Sequence, residues 1–173
     1  MKKNLLVVSA LAMAVLSGSA MAANEVQFLG VVSDTTCDIT PVVNGSVKNL
    51  VQLGTVAKGI TGNPVDFTLK ADPNAPGCGT ADLAGKVATI GWGGPLDTTG
   101  LKPQGGLATD AYVLLATKNA TTTAVQSITS THSNADFDAE KLTTDGAQFT
   151  AALKGGQVVG DYSSAAAYVV AYK

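Results

Sequence analysis

The 173-residue chain contains no arginine and a single histidine, His132. Nucleic-acid and phosphate sites lean on basic patches and on the planar, forked guanidinium group, so this composition argues against both, and no nucleic-acid partner is expected. Charge of either sign is sparse, at 14% of residues. Closely spaced cysteines and histidines near them are also missing, which removes the usual ligand sets for a metal or redox pair: Cys37 and Cys78 stand alone, far from His132. What remains is a chain rich in Gly, Thr, Ala and Val, a composition that suits a secreted all-β domain.

The first 22 residues read as an address. Lys2 and Lys3 begin it, Leu5 to Leu16 form an apolar run, and Ala20-Met21-Ala22 makes a small-x-small cleavage site. The run is too short for a permanent membrane helix, and no stop-transfer pattern follows it. Without Lys2 and Lys3 the chain from Ala23 to Lys173 keeps nine lysines against thirteen acids, a net charge of −4. Its length is enough for one domain with a sizeable core. In an exported chain the even cysteine pair reads as a disulfide, and a loop of about forty residues then contributes roughly 4 kcal/mol in the chain-entropy model.

Strand patterns dominate the rest. The last fourteen residues, Gly160 to Lys173, place Tyr162, Ser164, Ala166, Tyr168, Val170 and Tyr172 in one register. Ser163, Ala165, Ala167, Val169 and Ala171 fall in the other, and neither register is charged before Lys173. A half-solvated edge strand should show a polar face and blunting charges, so this pattern predicts cover on both faces and partners on both edges. At the other end Val26, Phe28, Gly30 and Val32 share one face of a second strand pattern, opposite Glu25 and Gln27. Between them the expected strands are Val47 to Leu53, Val65 to Leu69, Val87 to Trp92, Ala111 to Lys118, Ala124 to Thr129 and Ala147 to Leu153. Turn chemistry such as Asn44-Gly45, Gly62-Asn63-Pro64 and Gly155-Gly156 separates them, the spacing of a sandwich or barrel. Asp136 to Leu142 reads as a short helical turn.

No constellation supports catalysis. His132 lies in the polar, loop-like Ser130-Thr131-His132-Ser133-Asn134. Asp136, Asp138 and Glu140 alternate but lack the glycine and terminal Glu of an EF-hand loop, so a solvated acidic face is expected. Gly91-Trp92-Gly93-Gly94-Pro95 has no Gly-Lys-Ser/Thr after it and is not a phosphate loop. Trp92 has the chemistry to stack on a sugar, although a lone Trp in an apolar strand more often belongs to a core. Asn44-Gly45-Ser46 and Asn119-Ala120-Thr121 match glycosylation sequons, which matter only where the host glycosylates. The chain reads as a non-enzyme with no cofactor and no metal site.

The two ends and the cysteines, taken together, resemble the major subunits of chaperone–usher fimbriae. That family has a glycine fourteenth from the C-terminus and an aromatic penultimate residue, met by Gly160 and Tyr172. It has alternating hydrophobics and a glycine in the N-terminal extension, met by Val26, Phe28, Gly30 and Val32. Its disulfide joins the first strand to a position about forty residues on, as Cys37 and Cys78 would. The stretches Val32 to Cys37, Val51 to Val56 and Ala165 to Lys173 resemble the major subunits of enterotoxigenic and oedema-disease fimbriae.

The resemblance implies an incomplete immunoglobulin-like β-sandwich of six strands, lacking its last. It further implies a signal peptide over 1–22, a donor-strand extension over 23–32 and a pilin domain over 33–173. Gly160, Tyr162, Tyr168, Val170 and Tyr172 would border a groove filled by the N-terminal segment of the next copy. The implied partners are further copies of the chain, a periplasmic chaperone, an outer-membrane usher and minor fimbrial subunits, on a route through the periplasm to a surface fimbria that attaches bacteria to host cells. Burying Val26, Phe28 and Val32 contributes about 1.5–3 kcal/mol each, against an association cost on the order of 4–15 kcal/mol. The backbone ladder must therefore supply the surplus. A minor subunit or adhesin binding a host glycan is the alternative; adhesins of this class often carry a separate receptor domain, for which 151 residues leave no room.

Overall fold

The computed structural model describes Gly30, Val32 and residues 35–173. Val26 and Phe28, expected as donor positions, and the expected signal peptide over 1–22 lie outside the described residues. Two antiparallel sheets form the fold. The larger has six strands: β1 (Ile39–Val43), β2 (Ser46–Val47), β3 (Val65–Ala71), β5 (Tyr112–Thr117), β6 (Ser127–Ile128) and β8 (Ala147–Lys154), ordered β2-β1-β3-β8-β5-β6. The smaller runs β7-β4-β9, with β4 (Val87–Gly93) between β7 (Asn134–Asp138) and β9 (Ala167–Tyr172). The only α-helix among the described residues is one turn, α1 (Thr80–Leu83). The ladder is thus divided among nine segments rather than six continuous strands. The class is the expected one: an incomplete immunoglobulin-like sandwich.

Alternation builds the core. In β3, Phe67, Leu69 and Ala71 point inward, and in β8 Ala147, Phe149 and Ala151 do so, with Phe67 opposite Phe149 in register. The two rings stack at 5.4 Å between centroids, and Phe137 from the other sheet meets Phe149 at 5.3 Å. Asn44 and Gly45 both take positive φ, 51° and 76°, which the two-residue hairpin between β1 and β2 requires. Cys37 and Cys78 form a disulfide across a separation of 41 residues, stapling the approach to β1 onto the loop after β3.

Several expected boundaries move. The strand read over Val47 to Leu53 stops at Val47, because the segment beyond has no neighbouring strand to pair with. Ile39–Val43, absent from the expected strands, pairs with β3 despite Pro41; that residue donates nothing to the ladder, and its carbonyl accepts Lys48 N–H at 3.0 Å. The helical turn read over Asp136 to Leu142 is the end of β7 followed by a 3-10 helix over Ala139–Thr143. Ala135 and Phe137 are buried between polar neighbours, so period two overrode the acidic cluster. Ala124 to Thr129 shrinks to Ser127–Ile128, and Gly160 to Lys173 to Ala167–Tyr172.

Candidate functional site: an open groove beside the last strand

One side of the sandwich is not closed. A groove of about 900 Å³ runs between two extended walls, residues 48–58 on one side and residues 158–166 with Tyr168 on the other. Its floor comes from both sheets: Phe67 and Leu69 of β3, Val113 and Leu115 of β5, Leu153 of β8 and Trp92 of β4. None of residues 49–58 belongs to a strand. Val51 and Leu53 nevertheless pack inward against the core.

The second wall is β9 with the stretch leading into it. Lys173 and Val87 exchange both backbone hydrogen bonds, each 3.0 Å long. Antiparallel pairing alternates, so Ala171, Val169 and Ala167 bond to β4 while Val170 and Tyr168 turn their N–H and C=O away from it, Tyr168 at the groove wall. The pattern continues below β9. Ser163 exchanges hydrogen bonds with Gly105 at 3.0 and 3.1 Å, and the Asp161 carbonyl accepts from Ala108 N–H at 3.0 Å. Residues 104–108 thus brace the outer edge of this stretch where β4 has ended. One edge of the last strand is occupied along its length; the other borders the groove.

Side chains follow the same period. Tyr162, Ser164, Ala166, Tyr168, Val170 and Tyr172 are half-buried or buried, whereas Ser163, Ala165 and Ala167 are exposed. The expectation of cover on both faces therefore fails: the small size of Ser and Ala lets the outer face meet water without a charged residue. Three tyrosine hydroxyls reach across to backbone carbonyls. Tyr162 donates to Leu101 at 2.9 Å, Tyr168 to Ile39 at 2.9 Å and Tyr172 to Cys37 at 2.7 Å. Burial raises all three phenols, and Tyr172, with the Asp38 carboxylate as a second cause, is pushed up to about 12. Gly160 marks the start of the wall for a steric reason. A Cβ there would come within 2.4 Å of the Leu107 Cβ and 2.9 Å of its carbonyl carbon, so glycine lets the two backbones pass.

The remaining sequence candidates take structural roles. Asp136 accepts from Thr89 Oγ1 at 2.6 Å, Asp138 caps the 3-10 helix, and Glu140 accepts from Gly85 N–H at 2.8 Å. Among the described residues no group of three or more His, Cys, Asp or Glu side chains converges as a metal site. His132 is an exposed turn residue bonded to Thr131. Trp92 packs edge-on against Phe67 and Phe149 and tilts onto Tyr168 at 5.6 Å. Its indole N–H is buried without a partner. Sequence reasoning read the first half of the 48–58 wall as a strand, Val47 to Leu53, and missed the brace at 104–108, which carries no strand period.

Gly30 and Val32 do not occupy their own groove. Nothing lies within 4 Å of where a Gly30 Cβ would stand, and Val32 is fully exposed.

A sandwich with one unclosed side and one free strand edge belongs to the class of β-domains completed by strand addition. No protein-family model matches the chain. It is 48% identical over 172 residues to the F107 fimbrial protein of Escherichia coli, covering 99% of both chains. It is 30% identical over 188 residues to the K99 fimbrial protein of Escherichia coli, again covering 99% of each. The chain belongs to this family of fimbrial proteins, the one its two ends resemble. In fold it is similar to the crystal structure of the P pilus rod subunit PapA, with a TM-score of 0.50 and 17% identity over 86% of this chain and 99% of that one.

Proposed function

We propose that the chain is a major structural subunit of a surface fimbria and polymerises head to tail, each copy's N-terminal strand filling the groove of the copy before it. The observation that carries this is the free edge of β9 beside an open apolar groove. A ten-residue donor over 23–32 spans about 33 Å as a strand, close to the reach of the wall from Tyr162 to Tyr172. Val26, Phe28, Gly30 and Val32 face the floor and carry no charge; Glu25 and Gln27 face water. Residues 1–22 serve as the signal peptide and 33–173 as the pilin domain. An unfilled groove is an aggregation template, which calls for a periplasmic chaperone to lend a strand and an outer-membrane usher to direct the exchange. The role is mechanical, with no catalytic step.

Gly30 fits beneath this scheme as a site of close approach, a position without a side chain over the Tyr162 end of the groove. Gly30→Ala should be mild, whereas Gly30→Leu should block polymerisation and leave chaperone binding intact, because overpacking a fitted site costs about 1–3 kcal/mol. Normal fibres from the Leu variant would remove Gly30 from the groove.

The deciding experiment moves the donor. Residues 23–32 are deleted from the N-terminus and copied behind Lys173 through a short flexible linker, which sets an effective concentration on the order of millimolar. The grafted chain should be monomeric, with a clearly higher thermal midpoint than the deletion alone. An unchanged midpoint would rule out this segment as the missing strand.

A further inference from the structure

Three exposed apolar side chains gather at one end of the groove. Val158 is 46% exposed, Val159 67% and Leu107 70%. Gly160 joins them, its backbone pressed against Leu107, while Val158 and Val159 line the groove mouth. They are held firmly for surface residues: Asp110 accepts from the N–H groups of Gln157 and Val158 at 2.7 and 3.1 Å, and Asp161 from Leu107 N–H at 3.3 Å. A fixed cluster of this kind at a groove mouth marks a contact surface more than scattered exposed aliphatics do.

The far end of the same groove is where the chain's own N-terminal extension leaves the body. Thr35 bonds Lys86, beside the start of β4, and Cys37 O accepts from Tyr172 at the end of β9. The exit and the Leu107 rim are therefore at opposite ends. If an incoming copy approached from the exit end, two bodies would meet at one pole and the pair would close on itself. An open head-to-tail chain requires the incoming body at the other end, its donor antiparallel to β9 with Val32 toward Tyr162. Only Ser33 and Asp34 separate Val32 from Thr35. Fully extended, that connection spans about 10 Å. The incoming body's exit pole is thus drawn against the rim. Next to Thr36 at that pole is Gly77, where a Cβ would lie 3.4 Å from the Thr36 backbone, and before it the loop presents exposed Pro73 and Pro76.

We infer that Leu107, Val158 and Val159 form a docking patch for the body of a second copy, receiving its Pro73–Pro76 loop. The inference rests on the donor-strand reading and extends it: the groove joins the copies, and the rim fixes the angle between them. Proline and small residues suit such a contact, since they bury apolar area with little conformational entropy to lose.

The test is a cysteine pair in whole fibres. Val158→Cys with Pro76→Cys, assembled and mildly oxidised, should run as a covalent ladder on a non-reducing gel. Val125→Cys with Pro76→Cys, exposed but away from the groove, should run as monomer. Fibres of normal yield with no ladder from the first pair, or an equal ladder from the second, would overturn the inference. If the cysteine chains do not assemble, Leu107→Ser with Val158→Ser and Val159→Ser answers instead. Fibres should then form with persistence length at least halved, and unchanged stiffness overturns the docking patch. The donor-strand reading fails by a different sign, fibres that persist after residues 23–32 are deleted.

Discussion

Phe149 and Trp92 touch each other in one aromatic cluster, 5.2 Å between centroids, yet they belong to differently finished halves of the molecule. Phe149 lies in β8 between β3 and β5, fully buried, with a paired strand on each side. Trp92 lines the groove, partly exposed, and its indole N–H has no partner. A few ångströms separate a completed core from one that stops short. Stability of the single chain thus resides in the closed half, and the capacity to bind resides in the open half.

That contrast breaks most visibly at Phe149. Phe149→Ala should cost about 3–5 kcal/mol in denaturant unfolding of the grafted monomer. Trp92→Ala should cost distinctly less in the donor-free chain than in the grafted one, because its surroundings are completed only by the donor. Equal costs in both chains would erase the distinction between the halves.

The disulfide belongs to the closed half. Cys37→Ser with Cys78→Ser closes no loop of 41 residues and should lose about 4 kcal/mol, lowering periplasmic yield while leaving the donor segment able to pair. Thiol labelling of denatured native fibres should find no free cysteine.

Tyr172 joins the two halves, and its effect is smaller. Tyr172→Phe leaves a carbonyl at Cys37 without its phenol donor, at a cost of about 1–3 kcal/mol. Its pH signature has a definite sign. The folded phenol titrates at about 12, raised from 10.0 by burial and by Asp38. Above pH 10 the unfolded chain gives up its proton while the folded chain keeps it. Stability therefore declines from about pH 10 to about 12 and then levels. In the Phe variant the part of this slope due to Tyr172 should vanish.

The smallest effect sharpens the comparison at the rim. Hydrogen bonds from Gln157 and Val158 hold the Asp110 carboxyl below its ordinary range. A depressed carboxylate contributes above its unfolded pKa and loses that contribution as pH falls through the folded value. Amide exchange at Gln157 and Val158, corrected for intrinsic rates, should quicken in acid, and Asp110→Ala should quicken it at neutral pH. No change in either amide would mean the rim is held by something else.

The sequence was most legible where a strand is long and one face is buried. β3, β4, β5 and β8 carry period-two patterns that need no knowledge of their neighbours. β2, β6 and β7 are two to five residues long, and the chain opposite them sets where each begins and ends. Asn134–Asp138 did carry the alternation, through Ala135 and Phe137, but its acids drew attention instead. At the groove, the even register of the last strand was readable from Tyr162 to Tyr172. The brace was not: Gly105 and Ser163 meet across 58 residues of sequence and share no pattern. The wall over Val51 to Val56 was read in part as a strand, Val47 to Leu53, but forms none here, because its partner strand belongs to another copy in the proposed assembly.

Residue-by-residue amide exchange along β9 tests the central claim most directly, comparing the chain deleted of residues 23–32 with the same chain carrying those residues behind Lys173. Without the donor, Val169 and Ala171 should be protected by β4 while Tyr168 and Val170, turned away from β4, exchange near the unprotected rate. With the graft, Tyr168 and Val170 should slow by on the order of a hundredfold or more, as a second ladder closes on them. If Tyr168 and Val170 are already protected in the deleted chain, or stay fast once the graft is present, the free edge of β9 is not where this protein receives its strand.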